Sequence, residues 1–202
     1  MTTDWRKDLK ALYFPPSKQV VEVDIPPLNF FTVVGEGNPN GSKEFQGAVD
    51  ALYSMSYILK FMIKKAAPDK DFRVGPLEGL WWNTLDGALE KGRKEDWKWK
   101  IMILQPAFID AAITEKIRTE VVKKKDNPLV KSVFLEGLHE GRSAQIMYIG
   151  PWDKEGPTIE SVHEFIKGRG GRPKGKHHEI YMSDPRRVSP DKLKTVVRQP
   201  FA

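Results

Sequence analysis

KIMILQP, residues 100–106, and KTVVRQP, residues 194–200, are the two stretches on which the reading of this chain turns. Each is a lysine, a short apolar run and then Gln-Pro. Gln105 and Gln199 stand 94 positions apart (199 − 105) in a chain of 202 residues. Apolar strands resemble one another, so the echo alone says little. A spacing near half the chain predicts an internal duplication.

The pattern around the two phrases supports this. Asp4–Tyr13 reads as a short helix with Trp5, Leu9 and Leu12 on one face, stopped by Phe14-Pro15-Pro16. Val20–Ile25 alternates as a strand, and Leu28–Val34 is a second apolar run. After the Gly35–Gly41 loop, Phe45, Val49, Leu52, Ser56, Leu59 and Ile63 step by four and three along one helix face. Phe72–Trp82 and Trp97–Leu104 read as strands joined by a charged excursion, Gly87–Asp96.

The second half offers a helix capped by Asp110 and a hairpin of Val133–Leu138 with Ser143–Ile149 about His139-Glu140-Gly141. A helix opened by Gly156-Pro157 follows, then strands at His178–Met182 and Leu193–Val197. The expected fold is therefore α/β (α+β), one domain over 1–202 built of two strand-helix-strand-strand repeats at about 18–108 and 109–202, with the N-terminal helix at 4–13. Two antiparallel sheets would flank a central ligand groove, the helices packed on their outer sides. Duplicated modules bind at such a seam.

Composition excludes several classes. The chain has no cysteine, which removes disulfides, thiolate metal sites and a cysteine nucleophile. It shows neither an apolar run long enough to span a bilayer nor a signal-peptide pattern, so a cytoplasmic protein without membrane contact is expected. A net charge of +6 invites a polyanion, with the densest basic group at Arg169, Arg172, Lys174, Lys176, Arg186 and Arg187. No helix-turn-helix, zinc-finger or RNP-type pattern accompanies it, so nucleic acid is not the expected partner. Gly170–Lys176 begins like a P-loop, but His177 stands where a magnesium-binding Ser or Thr belongs. The histidines lack metal-ligand spacing, so neither metal nor cofactor is expected.

The stretch richest in chemistry is HHEIYMSDPRR, 177–187. Strand alternation puts Glu179 and Tyr181 on one face and Ile180 and Met182 on the other. If the apolar pair packs against helices, the carboxylate and phenol face the groove. Six tryptophans is high for this length. Trp81, Trp82, Trp97, Trp99 and Trp152 fall on or beside strands, where ring faces can serve a flat or cationic ligand.

Taken together, LEGLWW, the HEG turn, IMYIGPW, HHEIYMSDPRR, LKTVVRQP and NFFTVVGEGNPNGSKEFQGAV resemble the GyrI-like small-molecule-binding family in its stand-alone form, over nearly the whole chain. The resemblance implies a duplicated module that binds bulky aromatic, often cationic xenobiotics in an aromatic cage around a glutamate. It maps the glutamate to Glu179, the phenol to Tyr181, and the cage to Trp81 or Trp82, Trp99, Tyr148 and Trp152. Tyr53 and Phe134 complete the candidate ligand contacts. Relatives often read IMHIGPY where this chain has Tyr148 and Trp152, so a role assigned to that histidine does not carry over.

One subgroup is associated with hydrolysis of cyclopropane-bearing DNA-alkylating compounds. The resemblance thus implies a cofactor-independent hydrolase, with Glu179 as general base and Tyr181 or Tyr148 as proton donor. Burial in an aromatic groove would raise the pKa of Glu179 and fit it for that role. The alternatives are a non-catalytic drug-sequestering protein and a basic, protein-binding module of the gyrase-inhibitor kind. A monomer or weak dimer is expected.

Overall fold

The computed structural model describes residues 4–85, 89 and 92–202. Of the charged excursion expected at Gly87–Asp96, residues 87, 88, 90 and 91 lie outside the described residues. The architecture is mixed α/β with antiparallel strand pairing, as the alternating patterns predict. Its contacts gather into two compact units. One comprises Met1–Asp8, Leu28–Leu77 and Arg93–Leu138; the other comprises Leu9–Pro27, Glu78–Gly92 and His139–Ala202.

In the first unit β2 (Leu28–Glu36) pairs antiparallel with β4 (Lys98–Gln105) on one side and β5 (Phe134–Leu138) on the other. Helix α3 (Lys43–Ala66) packs on β2 and β4. Ser42 caps it by accepting from the Phe45 amide, satisfying one of the donors that a first turn leaves open. Its buried face is Ala48, Ala51, Leu52, Met55, Ser56 and Leu59. Phe45, Val49 and Ile63, expected on that stripe, are half-buried, because small alanines let the helix approach more closely on their side. Helix α4 (Ala111–Lys124) starts at an Asp110 cap, as expected, with Ile117 and Val121 inward.

In the second unit the strand order is β1 (Val21–Ile25), β6 (Gly141–Ile149), β8 (Lys194–Pro200), β7 (His177–Tyr181) and β3 (Leu77–Trp82). Helix α5 (Gly156–Gly168) lays Val162 and Ile166 on Ala144, Ile146, Val197 and Phe201. Burying each such side chain contributes about 1.5–3 kcal/mol relative to exposure.

The two Gln-Pro strands occupy matching places. β4 pairs with β2, the strand that precedes α3, and β8 pairs with β6, the strand that precedes α5. Each unit also takes an outer strand from the neighbouring stretch of sequence: β5 lies on β2, and β1 lies on β6.

Two expectations change. The hairpin of Val133–Leu138 with Ser143–Ile149 does not form, since β5 pairs with β2 while β6 pairs with β1 and β8. Glu140 in the expected turn is buried, drawn to the cations His178 and Arg198, and this pulls the chain out of a hairpin path. The helix expected over Asp4–Tyr13 is two single turns, α1 (Trp5–Asp8) and α2 (Lys10–Tyr13), broken at Leu9. Trp5 is tied to the first unit through the Val74 carbonyl, and Tyr13 to the second through Glu78.

The first unit predicts its own weak point. Gly35 lies opposite Trp99, and a Cβ there would meet the indole at 2.2 Å. Trp99 is itself fixed edge-on to Phe45, with centroids 5.1 Å apart. Gly35→Ala should therefore overpack the site and cost about 1–3 kcal/mol. Urea unfolding of the variant checks this, and unchanged stability would show that Trp99 can move aside.

Candidate functional site

Strand β7 carries two different polar clusters on its two faces, and both belong to the second unit. His177, Glu179 and Tyr181 alternate onto one face, His178 and Ile180 onto the other.

On the His178 face a charged network is fully enclosed. His178 Nε2 lies 3.0 Å from Glu78 Oε2, and Nδ1 lies 3.0 and 3.1 Å from the two oxygens of Glu140. A ring whose two nitrogens both face carboxylates donates from both only as imidazolium. Arg198 donates to Glu140 at 3.1 Å, to Gln145 at 3.0 Å and to the Leu12 carbonyl at 2.6 Å. The Tyr13 hydroxyl donates to Glu78 at 2.6 Å. Two carboxyl groups thus face two basic side chains within one enclosure. Burial pushes Glu140 up, but His178 and then Arg198 more than offset it, holding its carboxyl at about 2. Burial lowers His178, and the two glutamates outweigh that and raise it above its ordinary 6.5.

The opposite face holds the predicted site. Glu179 is buried, 8% exposed. Its Oε2 accepts from the Tyr181 hydroxyl at 2.8 Å, and its Oε1 lies 3.2 Å from His177 Nε2. Tyr181 in turn accepts from Trp81 Nε1 at 3.1 Å. Trp152 meets Tyr181 edge-on with centroids 5.5 Å apart, and its Nε1 donates to Thr195 Oγ1 at 3.0 Å. Thr195 sits directly across from both Tyr181 and Tyr148, so the two phenols and the threonine form one row over β7, β8 and β6.

Two glycines make room for these rings. A Cβ on Gly79 would lie 2.7 Å from Trp81 Nε1. One on Gly150, at φ +151°, would lie 2.5 Å from the Tyr148 oxygen, which donates at 2.9 Å to the Pro151 carbonyl.

The carboxylate's electrostatics differ from the expectation. Burial does push Glu179 up, but hydrogen bonding and charge from His177, with further hydrogen bonds from Tyr181 and Glu155, carry it below its ordinary range. The sequence shows the apolar wall but not these donors, so the expected rise does not occur. The helix also lies on the other side from that expected. Val197, opposite Glu179, packs against α5, while Ile180 shares the face of His178. Tyr181 is raised well above 10 by burial and then by Glu179, which keeps it a neutral donor. Burial, then Glu155 and Asp153, also raise Tyr148.

Of the sequence candidates, Glu179, Tyr181, Trp81, Trp152 and Tyr148 come together here. Trp82 points away from Trp81 along β3, with Lys176 Nζ 4.5 Å above its ring. Trp99, Tyr53 and Phe134 belong to the first unit: Trp99 is buried against Phe45, Tyr53 stacks on Tyr57 along α3, and Phe134 is exposed on β5.

Residues that sequence reasoning passed over are His177, Thr195 and Glu155. The signal for Glu155 was its place just before Gly156-Pro157, the first turn of α5. The Ser183–Arg187 part of the motif is a structural turn: Asp184 holds Arg186 at 2.9 Å and Arg187 at 3.6 Å, and Ser183 accepts from the Lys194 amide. Among the described residues, no cluster of His, Asp and Glu is placed to hold a metal, and no helix is long and apolar enough to cross a membrane.

An antiparallel α/β module with a buried carboxylate among aromatic side chains defines a small-molecule-binding class of protein. The chain belongs to the GyrI-like family: residues 18–201 match the GyrI-like small molecule binding domain. It is similar to a crystal structure described as an uncharacterized conserved protein from Listeria innocua, at 35% identity and TM-score 0.90 over 100% of both chains. It is also similar to a crystal structure of a hydrolase from Listeria innocua, at 32% identity and TM-score 0.86 over 100% of both chains. The C-terminal domain of EcmrR shares the fold at 10% identity and TM-score 0.55, over 95% of this chain and 98% of that one. No curated protein matches the chain.

The polar core behind β7 predicts a pH dependence. Glu140, depressed in the fold, contributes stability above its unfolded value near 4.5 that is lost as pH falls toward about 2. His178, raised in the fold, contributes below its unfolded value near 6.5, and that contribution is lost as pH rises through the raised value. Denaturant unfolding across pH should show both limbs. Glu140→Gln should flatten the acid limb and cost about 3–5 kcal/mol by stranding two buried cations.

Proposed function

We propose that the chain binds bulky aromatic or cationic xenobiotics in an aromatic cage around Glu179, and hydrolyses cyclopropane-bearing DNA-alkylating compounds among them. The observation that carries this is the Trp81–Tyr181–Glu179 chain of hydrogen bonds beside Trp152, a residue 40% exposed. The similarity to a Listeria innocua hydrolase over the full chain supports the catalytic part.

In this reading Trp152 and Trp81 take the planar rings of the substrate, and Glu179, ionised near neutrality, orients a water at the cyclopropane carbon. As the new C–O bond forms, the strained C–C bond breaks and its electrons pass into the conjugated ring as a phenolate. The water's proton goes to Glu179, and Tyr181 or Tyr148 supplies a proton to the phenolate oxygen. A depressed pKa makes Glu179 a weaker base than expected, but one fully available at neutral pH; base assistance of this kind contributes about 10²–10⁴-fold.

A sequestering protein is the second reading. It is favoured by the hydroxyls of Tyr181 and Tyr148, each already donating within the protein, to Glu179 and to the Pro151 carbonyl.

Incubation of a cyclopropane-bearing alkylator with the protein in oxygen-18-labelled water separates the two. Hydrolysis gives labelled product over many turnovers, and Glu179→Gln should lower the rate by about 10²-fold or more with little change in binding. Stoichiometric complex without product leaves sequestration.

A further inference from the structure

Thr195 takes no part in the reading above, yet it holds one wall of the site. Trp152 stands in the single turn Trp152–Lys154 between β6 and α5 and is 40% exposed. The backbone leading into this turn is fixed: the Gly150 amide donates to the Leu193 carbonyl at 3.0 Å, and the Pro151 carbonyl accepts from the Tyr148 hydroxyl at 2.9 Å. The indole beyond it turns about its own side-chain torsions, and at an exposed position several rotamers are open to it. Two contacts select one. The ring meets Tyr181 edge-on with centroids 5.5 Å apart, and Nε1 donates to Thr195 Oγ1 at 3.0 Å. The hydrogen bond is the more directional of the two. Thr195 is completely buried on β8, a strand paired on both sides, with Tyr181 opposite it on β7 and Tyr148 opposite it on β6. A β-branched side chain is stiff at χ1, so Oγ1 is an acceptor at a fixed point. Valine would fill the same space; the hydroxyl adds the bond to Trp152.

We propose that Thr195 is a positioning residue of the site: its hydroxyl latches the Trp152 indole and so sets the orientation in which the ring meets a ligand. The proposal rests on the small-molecule reading of the Glu179 site and adds what holds one of its walls. The bond also limits what Trp152 can offer. Indole has a single N–H donor and no acceptor of comparable strength. With Nε1 engaged by Thr195, Trp152 presents its π-system to a ligand, which suits a flat ring or a cation. A ligand then meets a wall that is already ordered. Released from Thr195, the ring would lose its rotamer freedom only on binding, and the complex would be weaker for it.

Two measurements on the full chain test this. In proton–nitrogen NMR spectra the Trp152 indole signal, assigned by its loss in Trp152→Phe, should exchange slowly with solvent in the wild type and in Thr195→Ser, and fast in Thr195→Val. A wild-type Trp152 indole proton that exchanges as freely as an unbonded one overturns the proposal, whether or not Thr195→Val folds. Calorimetric titration with tetraphenylphosphonium should show affinity about tenfold lower in Thr195→Val and largely restored in Thr195→Ser. In a Trp152→Phe background, Thr195→Val should cause no further loss. An equal loss in both backgrounds means that the hydroxyl acts by another route, and overturns the proposal. If the cation does not bind the wild-type protein, the cation-binding reading falls, and the exchange of the indole proton alone decides whether Thr195 holds Trp152.

Discussion

The imidazolium of His178, held between Glu78 and Glu140, is the contact on which the second unit depends. It joins β7 to β3 through Glu78 and to the start of β6 through Glu140, and Arg198 extends the network to β8 and to the Leu12 carbonyl. A buried ion network contributes little net stability over a well-packed apolar core, but a single missing partner is costly. Such a network selects one arrangement of strands. A slip of β7 by one residue would move Glu179 behind the sheet and set His178 among the apolar residues under α5.

This fixed register carries through to the site. Because His178 faces one way, Glu179 and Tyr181 must face the other, at the level of Trp81 on β3 and Thr195 on β8. The aromatic residues then set the carboxylate's chemistry less than its hydrogen-bond donors do. Desolvation alone would make Glu179 a reluctant anion; His177, Tyr181 and Glu155 make it a stable one. A carboxylate of that kind suits a cation or a bound water, and it is ionised before any ligand arrives.

The fold and the placement of the candidate residues were legible in the sequence to different depths. Period-2 and period-3.6 patterns placed β2, α3, β4, α5, β7 and β8 within a few residues, because each buries one continuous apolar face. The Val133–Ile149 hairpin was misread because local alternation does not say which strand is the partner. Glu140, which looks like a solvent-exposed turn residue, is consumed by cations contributed from 178 and 198. The same limit hid Tyr13 and Glu78, 65 positions apart in sequence yet joined at 2.6 Å.

The sequence by itself determined the alternating faces of 177–181 and the two Gln-Pro strands, β4 and β8. These follow from local geometry: a two-residue period and an apolar stripe. The tertiary structure alone decided which face of β7 meets α5, which carboxylates are paired with His178 and Arg198, and that Tyr181 links Glu179 to Trp81. Those outcomes depend on charges brought together from distant segments in a medium of low dielectric, where the energy of each group is set by neighbours that no local pattern names.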